Sequence, residues 1–230
     1  MPKGRVYSGV PEIGYGALGG PYLAPSFTGG SATKNMDKSN TTKGKIVIVS
    51  GPSGVGKSTI CREVARRTEN VYPSVSVTTR PPGKDEKQGK NYWFVSKEDF
   101  QQRTDKGEFL EHAEVFGHLY GTPKDKVEQA LNQGRTVILE IDVQGAKQVK
   151  TVYPDAVMVF ILPPSARVLA ERLGRRGRDS RCAAEKRLGG ASDEIAAARQ
   201  YYQHLVINEN LEQAIKEVMQ IIHKGSIEEK

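Results

Sequence analysis

The sequence predicts an α/β protein in which a parallel sheet is flanked by helices. Three short apolar runs, IVIVS (46–50), TVILEID (136–142) and AVMVFILP (156–163), are typical of parallel strands buried on both faces. Segments with helical spacing of apolar residues lie between these runs, so strands and helices alternate. A glycine-rich stretch, GPSGVGKST (51–59), joins the first strand to the first helix. A chain of 230 residues can form one well-filled core, and two independent domains are not expected.

The chain begins with a segment that has neither helical nor strand periodicity. Residues 1–44 are rich in Gly, Ser, Thr and Pro, so we expect a flexible N-terminal tail. A single domain is then expected over residues 45–230. Its first strand is followed by a helix from about Lys57, in which Ile60 and Val64 lie on one face.

The next part of the chain contains two predicted strands and two predicted helices. VSVTTR (75–80) and YWFV (92–95) have the composition of strands and are separated by a polar loop. SKED (96–99) has the pattern of a capping box that opens a helix running toward Lys106. TPKD (122–125) predicts a second capping box, with Pro123 at the first helical position and Gly134 past the helix end.

The last third of the chain again alternates helices and strands. After the apolar run that ends at Pro163, a helix is expected from Ser165, followed by an arginine-rich loop and a long helix through IAAARQYYQ. LVIN (205–208) predicts a short final strand. Asn210 is a candidate cap of a last amphipathic helix whose inward residues are Ile215, Val218 and Ile222.

Charge and cysteine content limit the class of protein. The net charge is +7, and the stretch RLGRRGRDSR (172–181) is rich in arginine. A solvated basic face, a nucleic-acid surface and a site for phosphates of a small molecule all fit this stretch. No apolar run is long enough to span a bilayer, and the N-terminus lacks the apolar core of a secretory signal. Cys61 and Cys182 have no metal or redox spacing, which favours reduced thiols in a cytoplasmic protein.

The stretch from Gly51 to Ser58 fits the pattern G-x-x-x-x-G-K-[ST] of a phosphate-binding loop. Glycines let successive backbone N–H groups turn toward phosphate oxygens, and the following helix adds its positive N-terminal end. Lys57 is expected to reach the β- and γ-phosphates of ATP as a catalytic residue, and the Ser58 hydroxyl to hold Mg²⁺. The predicted ATP contacts of the loop are Gly51, Ser53, Gly54, Val55, Gly56, Lys57, Ser58 and Thr59.

Several classes of protein share this loop, and two of them lack support. A guanine-specific switch protein requires N-K-x-D, and a transporter-type ATPase requires a signature similar to LSGGQ; the sequence contains neither. A kinase of small molecules requires an acceptor pocket and an arginine-bearing lid, and the sequence offers candidates for both.

Further motifs, in order along the chain, resemble those of the guanylate kinase family. They are GPSGVGKST, SVTTRPP (76–82), GKNYWFV (89–95), EFLEHAEVFGHLYGTP (108–123), LEIDVQGA (139–146) and RRGR…KRL (175–188). The resemblance covers about 180 residues, nearly the whole chain outside the tail. It implies a P-loop NTPase fold with a parallel core sheet, a small β-rich GMP-binding lobe at about 76–122 and a helical lid at about 167–190.

The resemblance also implies which residues bind GMP. Arg80, Tyr92 and Tyr120 match positions that bind its phosphate. The positions that read guanine are matched by Ser76, Glu111, Thr122 and Asp142. Guanine presents N1–H and an exocyclic amine, so a buried carboxylate such as Glu111 accepts from both, whereas adenine leaves such a carboxylate unpaired.

Several of these residues have a structural alternative. Thr122 has the position of a helix cap, and capping is compatible with a base contact. Tyr92 and Tyr120 also fit half-buried packing positions. Glu111 also fits a solvated loop carboxylate. Asp142 follows an apolar strand, where a carboxylate faces the ligand crevice of an open parallel sheet.

The lid and the donor side complete the implied site. Arg176 and Arg187 match arginines that close over the transferring phosphoryl group, with Arg172 as a candidate helper. Asn208 matches a position near the adenine of ATP, and Glu140 is expected near Mg²⁺, through water. The implied reaction is MgATP + GMP → MgADP + GDP, with dGMP as an expected second acceptor.

One position departs from the family pattern. The family has a second phosphate-binding arginine three residues after the position of Arg80, and this chain has Gly83 there, followed by Lys84. Lysine is a point charge and does not grip phosphate in the bidentate way of arginine. Two alternative functions are weighed against this one: a guanylate-kinase-like scaffold module without catalysis, and nucleic-acid binding by the basic tail and the lid. No nucleic-acid or membrane partner is expected.

Overall fold

The computed structural model describes residues 43–175 and 181–224, apart from the side chains of residues 175 and 181–188. The strands in these residues are β1 (Ile46–Ser50), β2 (Val71–Pro73), β3 (Val77–Thr78), β4 (Trp93–Phe94), β5 (Phe109–Val115), β6 (His118–Pro123), β7 (Thr136–Glu140), β8 (Val157–Leu162) and β9 (His204–Ile207). The helices are α1 (Lys57–Arg67), α2 (Lys97–Asp105), α3 (Lys124–Asn132), α4 (Val143–Val152), α5 (Ala166–Arg175), α6 (Arg181–Tyr201) and α7 (Leu211–Lys224). None of these helices combines the length and the apolar character that crossing a membrane requires.

The core of the protein is a parallel sheet of five strands in the order β2-β7-β1-β8-β9. Every neighbouring pair in this sheet is parallel. The central strand, β1, is buried along its whole length, as its continuous apolar run predicts. The α/β fold class expected from the sequence is therefore confirmed.

Helices cover both faces of this sheet. Alternate side chains of β1 point to opposite faces: Val47 and Val49 belong to one buried apolar cluster, and Ile46 and Ile48 belong to another. Residues of α1, α5 and α7 complete the first cluster, and residues of α3, α4 and α6 complete the second. The inward residues predicted for the first and last helices are buried in the first cluster; they are Ile60, Val64, Ile215, Val218 and Ile222.

A second sheet contains four strands in the order β4-β3-β6-β5. β5 and β6 form an antiparallel hairpin whose turn contains Phe116 and Gly117, both with positive φ. α2 packs beside the hairpin through Phe100, whose ring stacks on that of Phe109 with 4.6 Å between centroids. The strands predicted over 75–80 and 92–95 are present in shorter form as β3 and β4.

Two predicted helix caps are confirmed. The Ser96 hydroxyl accepts a hydrogen bond from the backbone N–H of Asp99 at 3.0 Å and opens α2. The Asn210 side chain accepts one from the N–H of Gln213 at 3.0 Å and opens α7. Each cap satisfies an N–H group that has no partner within its helix.

The predicted cap at Thr122 is wrong. Thr122 lies within β6, and α3 begins two residues later, with Pro123 at its N-cap position rather than at its first helical position. The Thr122 hydroxyl instead donates to a carboxylate oxygen of Glu111 at 2.6 Å. Because the N-cap position of α3 falls on Pro123, Thr122 lies one residue too early to cap the helix, and its place in β6 puts its hydroxyl beside the carboxylate of the neighbouring strand. Gly134 does lie just past the end of α3 and has a φ of 72°.

Four elements were not predicted individually from the sequence: β2, α4 and the hairpin strands β5 and β6, which lie in the lobe expected to be β-rich. β2 has only three residues, too few for a periodic pattern. α4 starts at Val143, so the strand predicted over 136–142 ends at Glu140. Asp142 is the N-cap of α4, and its side chain accepts from the N–H of Gly145 at 2.9 Å.

Ile161→Ala should destabilise the fold by about 2–5 kcal/mol, because it opens a cavity in the first apolar cluster. Ile161 on β8 is 0% exposed, whereas Ile207 on the neighbouring strand β9 is 54% exposed. The matched substitution Ile207→Ala should change the free energy of unfolding by less than about 1 kcal/mol. Urea unfolding of both variants measures these differences, and equal losses would contradict the packing described here.

Candidate functional site

The candidate site lies at the carboxyl ends of the central strands. β1 leads into the glycine-rich loop, and β7 leads through Ile141 to Asp142 at the start of α4. β1 lies between β7 and β8. From β1 the chain continues to β2, beyond β7, whereas from β7 it crosses to β8, on the other side of β1. In open parallel sheets this arrangement forms a crevice in which ligands bind.

The loop after β1 requires glycine at three positions. Gly51, Gly54 and Gly56 have φ values of 146°, 87° and 108°. A Cβ added at Gly51 would lie 2.4 Å from the carbonyl oxygen of Ile161, and one at Gly56 would lie 2.5 Å from the amide nitrogen of Asn208. The loop therefore takes a conformation, and packs at distances, that side chains would not permit.

Two side chains at the start of α1 bond across this loop. The Lys57 ammonium donates to the carbonyl oxygens of Gly51 and Pro52 at 2.5 Å and 3.1 Å. The Ser58 hydroxyl donates to a carboxylate oxygen of Glu140 at 2.7 Å. Lys57 is thus drawn over the loop, while Ser58 and Glu140 form a hydrogen-bonded pair that joins the start of α1 to the end of β7.

A cavity of about 240 Å³ lies on the outer side of the loop. Asn208 is buried, and its amide donates to the carbonyl of Val55 at 2.7 Å. Arg172 donates to the same carbonyl at 3.3 Å and to the carbonyl of Asn208 at 2.9 Å. The cavity wall consists of Gly54, Val55, Gly56, Thr59, Arg172, Asn208, Glu209 and Leu211. Four of the predicted ATP residues on the loop, Gly54, Val55, Gly56 and Thr59, therefore share one wall with Asn208.

A buried carboxylate lies on the other side of the crevice. Glu111 on β5 is 4% exposed, and Thr122 on β6 holds one of its oxygens. The pKa of Glu111 is raised to about 7: burial is the main cause, the hydrogen bond from Thr122 opposes it, and the nearby charge of Asp142 adds to it. Glu111 is therefore not the solvated loop carboxylate that its sequence context also allowed.

Arg80 lies in a cluster of aromatic rings, shortly after β3 of the sheet that also contains Glu111. Its guanidinium carbon is 5.5 Å from the ring centroid of Tyr92, and the rings of Tyr92 and Tyr120 meet edge to face at 5.9 Å. The carboxylate of Glu86 accepts two hydrogen bonds from Arg80, at 2.9 Å and 3.1 Å. The three residues predicted to bind an acceptor phosphate are thus brought together.

The two sides of the crevice influence each other electrostatically. Burial is the main cause that raises the pKa of Tyr92, and the charge of Glu140 raises it further. Glu140 is also the partner of Ser58, so the aromatic cluster lies within electrostatic reach of the glycine-rich loop. This arrangement gives one crevice with a cationic loop on one side and a buried carboxylate on the other.

The comparison with known families decides the class of protein. The sequence model described as "Guanylate kinase" matches residues 43–225. The chain belongs to the guanylate kinase family.

Relatives and a solved structure agree with this membership. The chain is 46% identical over 180 residues to a guanylate kinase of Carboxydothermus hydrogenoformans, an alignment that covers 78% of this chain and 88% of the relative. It is 43% identical over 182 residues to one of Synechocystis sp., covering 79% and 95%. The crystal structure of guanylate kinase from Anaplasma phagocytophilum has a TM-score of 0.67 at 36% identity and covers 79% of this chain and 86% of that one.

Other predicted site residues have fewer described contacts. Ser76 directly precedes β3, and its carbonyl accepts from the N–H of Trp93 at 2.9 Å. The backbone N–H of Gly83, at the position where the family resemblance implies an arginine, donates to Glu86 at 2.7 Å, and Lys84 is exposed. Arg176 and the side chain of Arg187 lie outside the described residues, as do the side chain of Cys182 and the tail up to residue 42.

Two carboxylates near the site of this guanylate kinase family member were not predicted from the sequence. Glu86 pairs with Arg80 at 2.9 Å, and its place within a polar loop gave no signal. Glu194 lies on α6, and its pKa is raised to about 7: burial is the main cause, the charge of Lys57 opposes it, and the charge of Asp142 adds to it. Glu194, Ala198 and Tyr202 recur at helical spacing, and Ala198 and Tyr202 are buried. This periodicity was the available signal, but it does not distinguish a site carboxylate from an exposed one.

Glu111→Gln should become more stable than the wild type as the pH rises from about 4.5 to about 7. Because the folded-state pKa of Glu111 is raised, folded protein keeps a proton that unfolded protein has released, so wild-type stability falls across this window. The difference in unfolding free energy between Glu111→Gln and the wild type should increase by up to about 3 kcal/mol over this pH range. Urea unfolding at a series of pH values measures it, without nucleotide.

The exposed Glu114, on the same strand, provides the matched control variant Glu114→Gln. Glu194 is present in every protein compared, so its own titration cancels from the difference. A gap that stays constant between pH 4.5 and 7 would contradict the buried environment described for Glu111.

Proposed function

We propose that this chain transfers the γ-phosphoryl group of MgATP to GMP, and to dGMP, yielding ADP and GDP or dGDP. The observation that carries the proposal is the buried Glu111 carboxylate, held by Thr122 across the crevice from the phosphate-binding loop. The loop supports a nucleoside triphosphate as donor, and the carboxylate supports a guanine base as acceptor. Reduced thiols favour the cytoplasm as the place of reaction.

The donor nucleotide is held by the loop and by the wall of the neighbouring cavity. Backbone N–H groups of residues 51–59 surround the phosphates, and the N-terminus of α1 adds its positive end. Lys57 exchanges the carbonyl oxygens of Gly51 and Pro52 for the more strongly accepting oxygens of the β- and γ-phosphates. Asn208 is near the adenine, where its amide is already fixed by Val55.

The acceptor nucleotide is held by its phosphate at one end and by its base at the other. Arg80, Tyr92 and Tyr120 bind the phosphate, and their mutual contacts fix them before the ligand arrives. Ser76, Glu111, Thr122 and Asp142 read guanine. Glu111 accepts from the N1–H and the amine of guanine, whereas adenine would leave a desolvated carboxylate without a donor.

The transfer step requires positioning and charge neutralisation rather than a general base. The second pKa of a phosphate monoester is about 6, so GMP is mostly ionised at neutral pH. Lys57 and the lid arginines Arg176 and Arg187 stabilise charge on the transferring group, and closure of the lid over residues 167–190 excludes water. These roles for the lid are based on the family resemblance and remain predictions.

Ser58 would hold Mg²⁺ directly, and Glu140 would hold it through water. Their oxygen atoms lie 2.7 Å apart beside Lys57, and Mg²⁺ prefers oxygen ligands from a few side chains, phosphates and water. Bound Mg²⁺ would neutralise charge on the β- and γ-phosphates. Among the described residues, no cluster of three metal-binding side chains occurs, so phosphates and water would supply the remaining ligands.

The scaffold alternative is less favoured than catalysis. A module that only binds partners does not need Lys57, Ser58 and the three constrained loop glycines together, and this chain has all of them. Phosphoryl transfer between nucleotides also accounts for the arginine-rich stretch without a nucleic-acid partner.

Among the nucleoside monophosphates, GMP should be the preferred acceptor. ADP release coupled to NADH oxidation measures turnover with GMP, dGMP, AMP, CMP and UMP at one MgATP concentration. GMP and dGMP should give rates at least about 10³-fold above AMP, because a site built around a buried acceptor rejects a base that lacks the matching donors. Turnover of AMP or UMP without GMP would contradict the proposed acceptor, and nucleotide binding without turnover would support the scaffold alternative.

Lys57→Ala should lower kcat at least about 10²- to 10³-fold, because one preorganised charge on the transferring group is lost. The fold should persist, since Lys57 bonds only to carbonyls of its own loop among the hydrogen bonds described. Lys216→Ala on the exposed face of α7 removes the same charge elsewhere and should leave kcat unchanged. Retention of turnover by Lys57→Ala would exclude the proposed role of the loop.

A further inference from the structure

We propose that Gly145 is a specificity-determining residue, because its missing side chain leaves the space in which the Glu111 carboxylate lies. The inference rests on the proposed function, in which Glu111 reads guanine. Gly145 occupies the first turn of α4, directly beneath the carboxylate that it accommodates. Gly145 belongs neither to the phosphate-binding loop, nor to the predicted metal ligands, nor to the predicted lid.

The approach of Glu111 to this glycine is close. A Cβ added at Gly145 would lie 2.3 Å from one carboxylate oxygen of Glu111 and 2.9 Å from its carboxyl carbon. It would also lie 3.4 Å from a side-chain oxygen of Asp142, which is an ordinary contact. A single methyl group at position 145 therefore collides with the proposed guanine-reading carboxylate and leaves the cap of α4 in place.

The collision cannot be relieved by a small shift of Glu111. Thr122 on the neighbouring strand holds the other oxygen of this carboxylate at 2.6 Å. Residues 111 and 122 are also direct partners in the register of β5 and β6. Rotation of the carboxylate away from position 145 would break this hydrogen bond inside a buried environment, which is costly for a charged group.

Nor can α4 retreat easily from β5. The side chain of Gln148 donates to the carbonyl of His112 at 2.8 Å and accepts from its N–H at 3.2 Å. Ala146 and Val149, on either side of this contact, are fully buried in the second apolar cluster. A new side chain at position 145 therefore displaces the carboxylate rather than the helix.

Backbone conformation does not explain the glycine. The described glycines with positive φ do not include Gly145, and alanine is favoured over glycine within a helix. Helix stability alone would thus favour alanine at this position. The close approach of Glu111 is the described feature that requires glycine here.

The variant Gly145→Ala should raise the KM for GMP by about tenfold to a hundredfold, the usual effect of losing a well-placed hydrogen bond to a charged group. The KM for ATP should stay within twofold of the wild type, and the ratio of kcat/KM for GMP to that for AMP should fall. Calorimetric titration with GMP should show the same loss of affinity. Thr151→Ala, at the exposed end of α4, is the matched control and should change none of these quantities.

A double-mutant cycle tests whether Gly145 acts through Glu111. Glu111→Asp shortens the side chain by one methylene group and withdraws the carboxylate from position 145. The double variant Gly145→Ala/Glu111→Asp should lose far less GMP affinity than the product of the two single losses, because the added methyl then has space. A merely structural role for Gly145 predicts that the losses multiply.

Three outcomes decide between the proposals. An unchanged KM for GMP in a folded Gly145→Ala protein, or multiplicative losses in the cycle, would overturn the role of Gly145. If Gly145→Ala melts well below the wild type, recovery of both melting temperature and GMP affinity in the double variant supports the proposal, and no recovery overturns it. Failure of the wild type to bind or phosphorylate GMP would overturn the proposed function itself.

Discussion

The buried carboxylate of Glu111 constrains the arrangement of the second sheet and the start of α4 around one crevice. A desolvated carboxylate is costly, and its pKa of about 7 records that cost. The hydrogen bond from Thr122 offsets part of it, and the glycine at position 145 lets the first turn of α4 pass beneath the group. A fold selected for stability alone would place an apolar side chain here, so the carboxylate is best explained by a ligand that donates to it.

The opposite side of the crevice is fixed by one backbone carbonyl. The oxygen of Val55 accepts from Asn208, which follows β9, and from Arg172 on α5. The phosphate-binding loop is therefore anchored to two elements that come more than a hundred residues later in the chain. Since α5 leads into the arginine-rich stretch, the same contact connects the loop to the segment predicted to form the lid.

Much of the fold could be predicted because its signals are local. The apolar runs at 46–50 and 157–162 and the caps Ser96 and Asn210 depend only on neighbouring residues, and the structure contains all of them. Thr122 shows where local reasoning fails. Its sequence context is that of a helix cap, yet its hydroxyl bonds to Glu111, eleven residues earlier on a partner strand.

The candidate site also contains residues that a local sequence pattern predicts and residues that no local pattern predicts. The glycine-rich loop is a continuous motif, so its residues could be predicted from the sequence, and the remaining site residues came from the family resemblance. Glu86 and Glu194 were missed because no local pattern connects them to Arg80 or to Lys57; only the folded chain brings them together. The collision at Gly145 was likewise invisible, since it depends on the packing of α4 against β5.

The segment around Gly83 holds Arg80 of the proposed acceptor site in place. The N–H of Gly83 donates to the Glu86 carboxylate at 2.7 Å, and that carboxylate in turn holds the Arg80 guanidinium through two hydrogen bonds. Arg80 is thereby fixed against the ring of Tyr92, so little side-chain freedom is lost when a phosphate binds. An arginine at position 83 would present the same backbone N–H, so this contact orients Arg80 and does not replace a second guanidinium. A phosphate grip built from one preorganised arginine depends more strongly on Glu86, whose loss would free Arg80 to adopt unproductive rotamers.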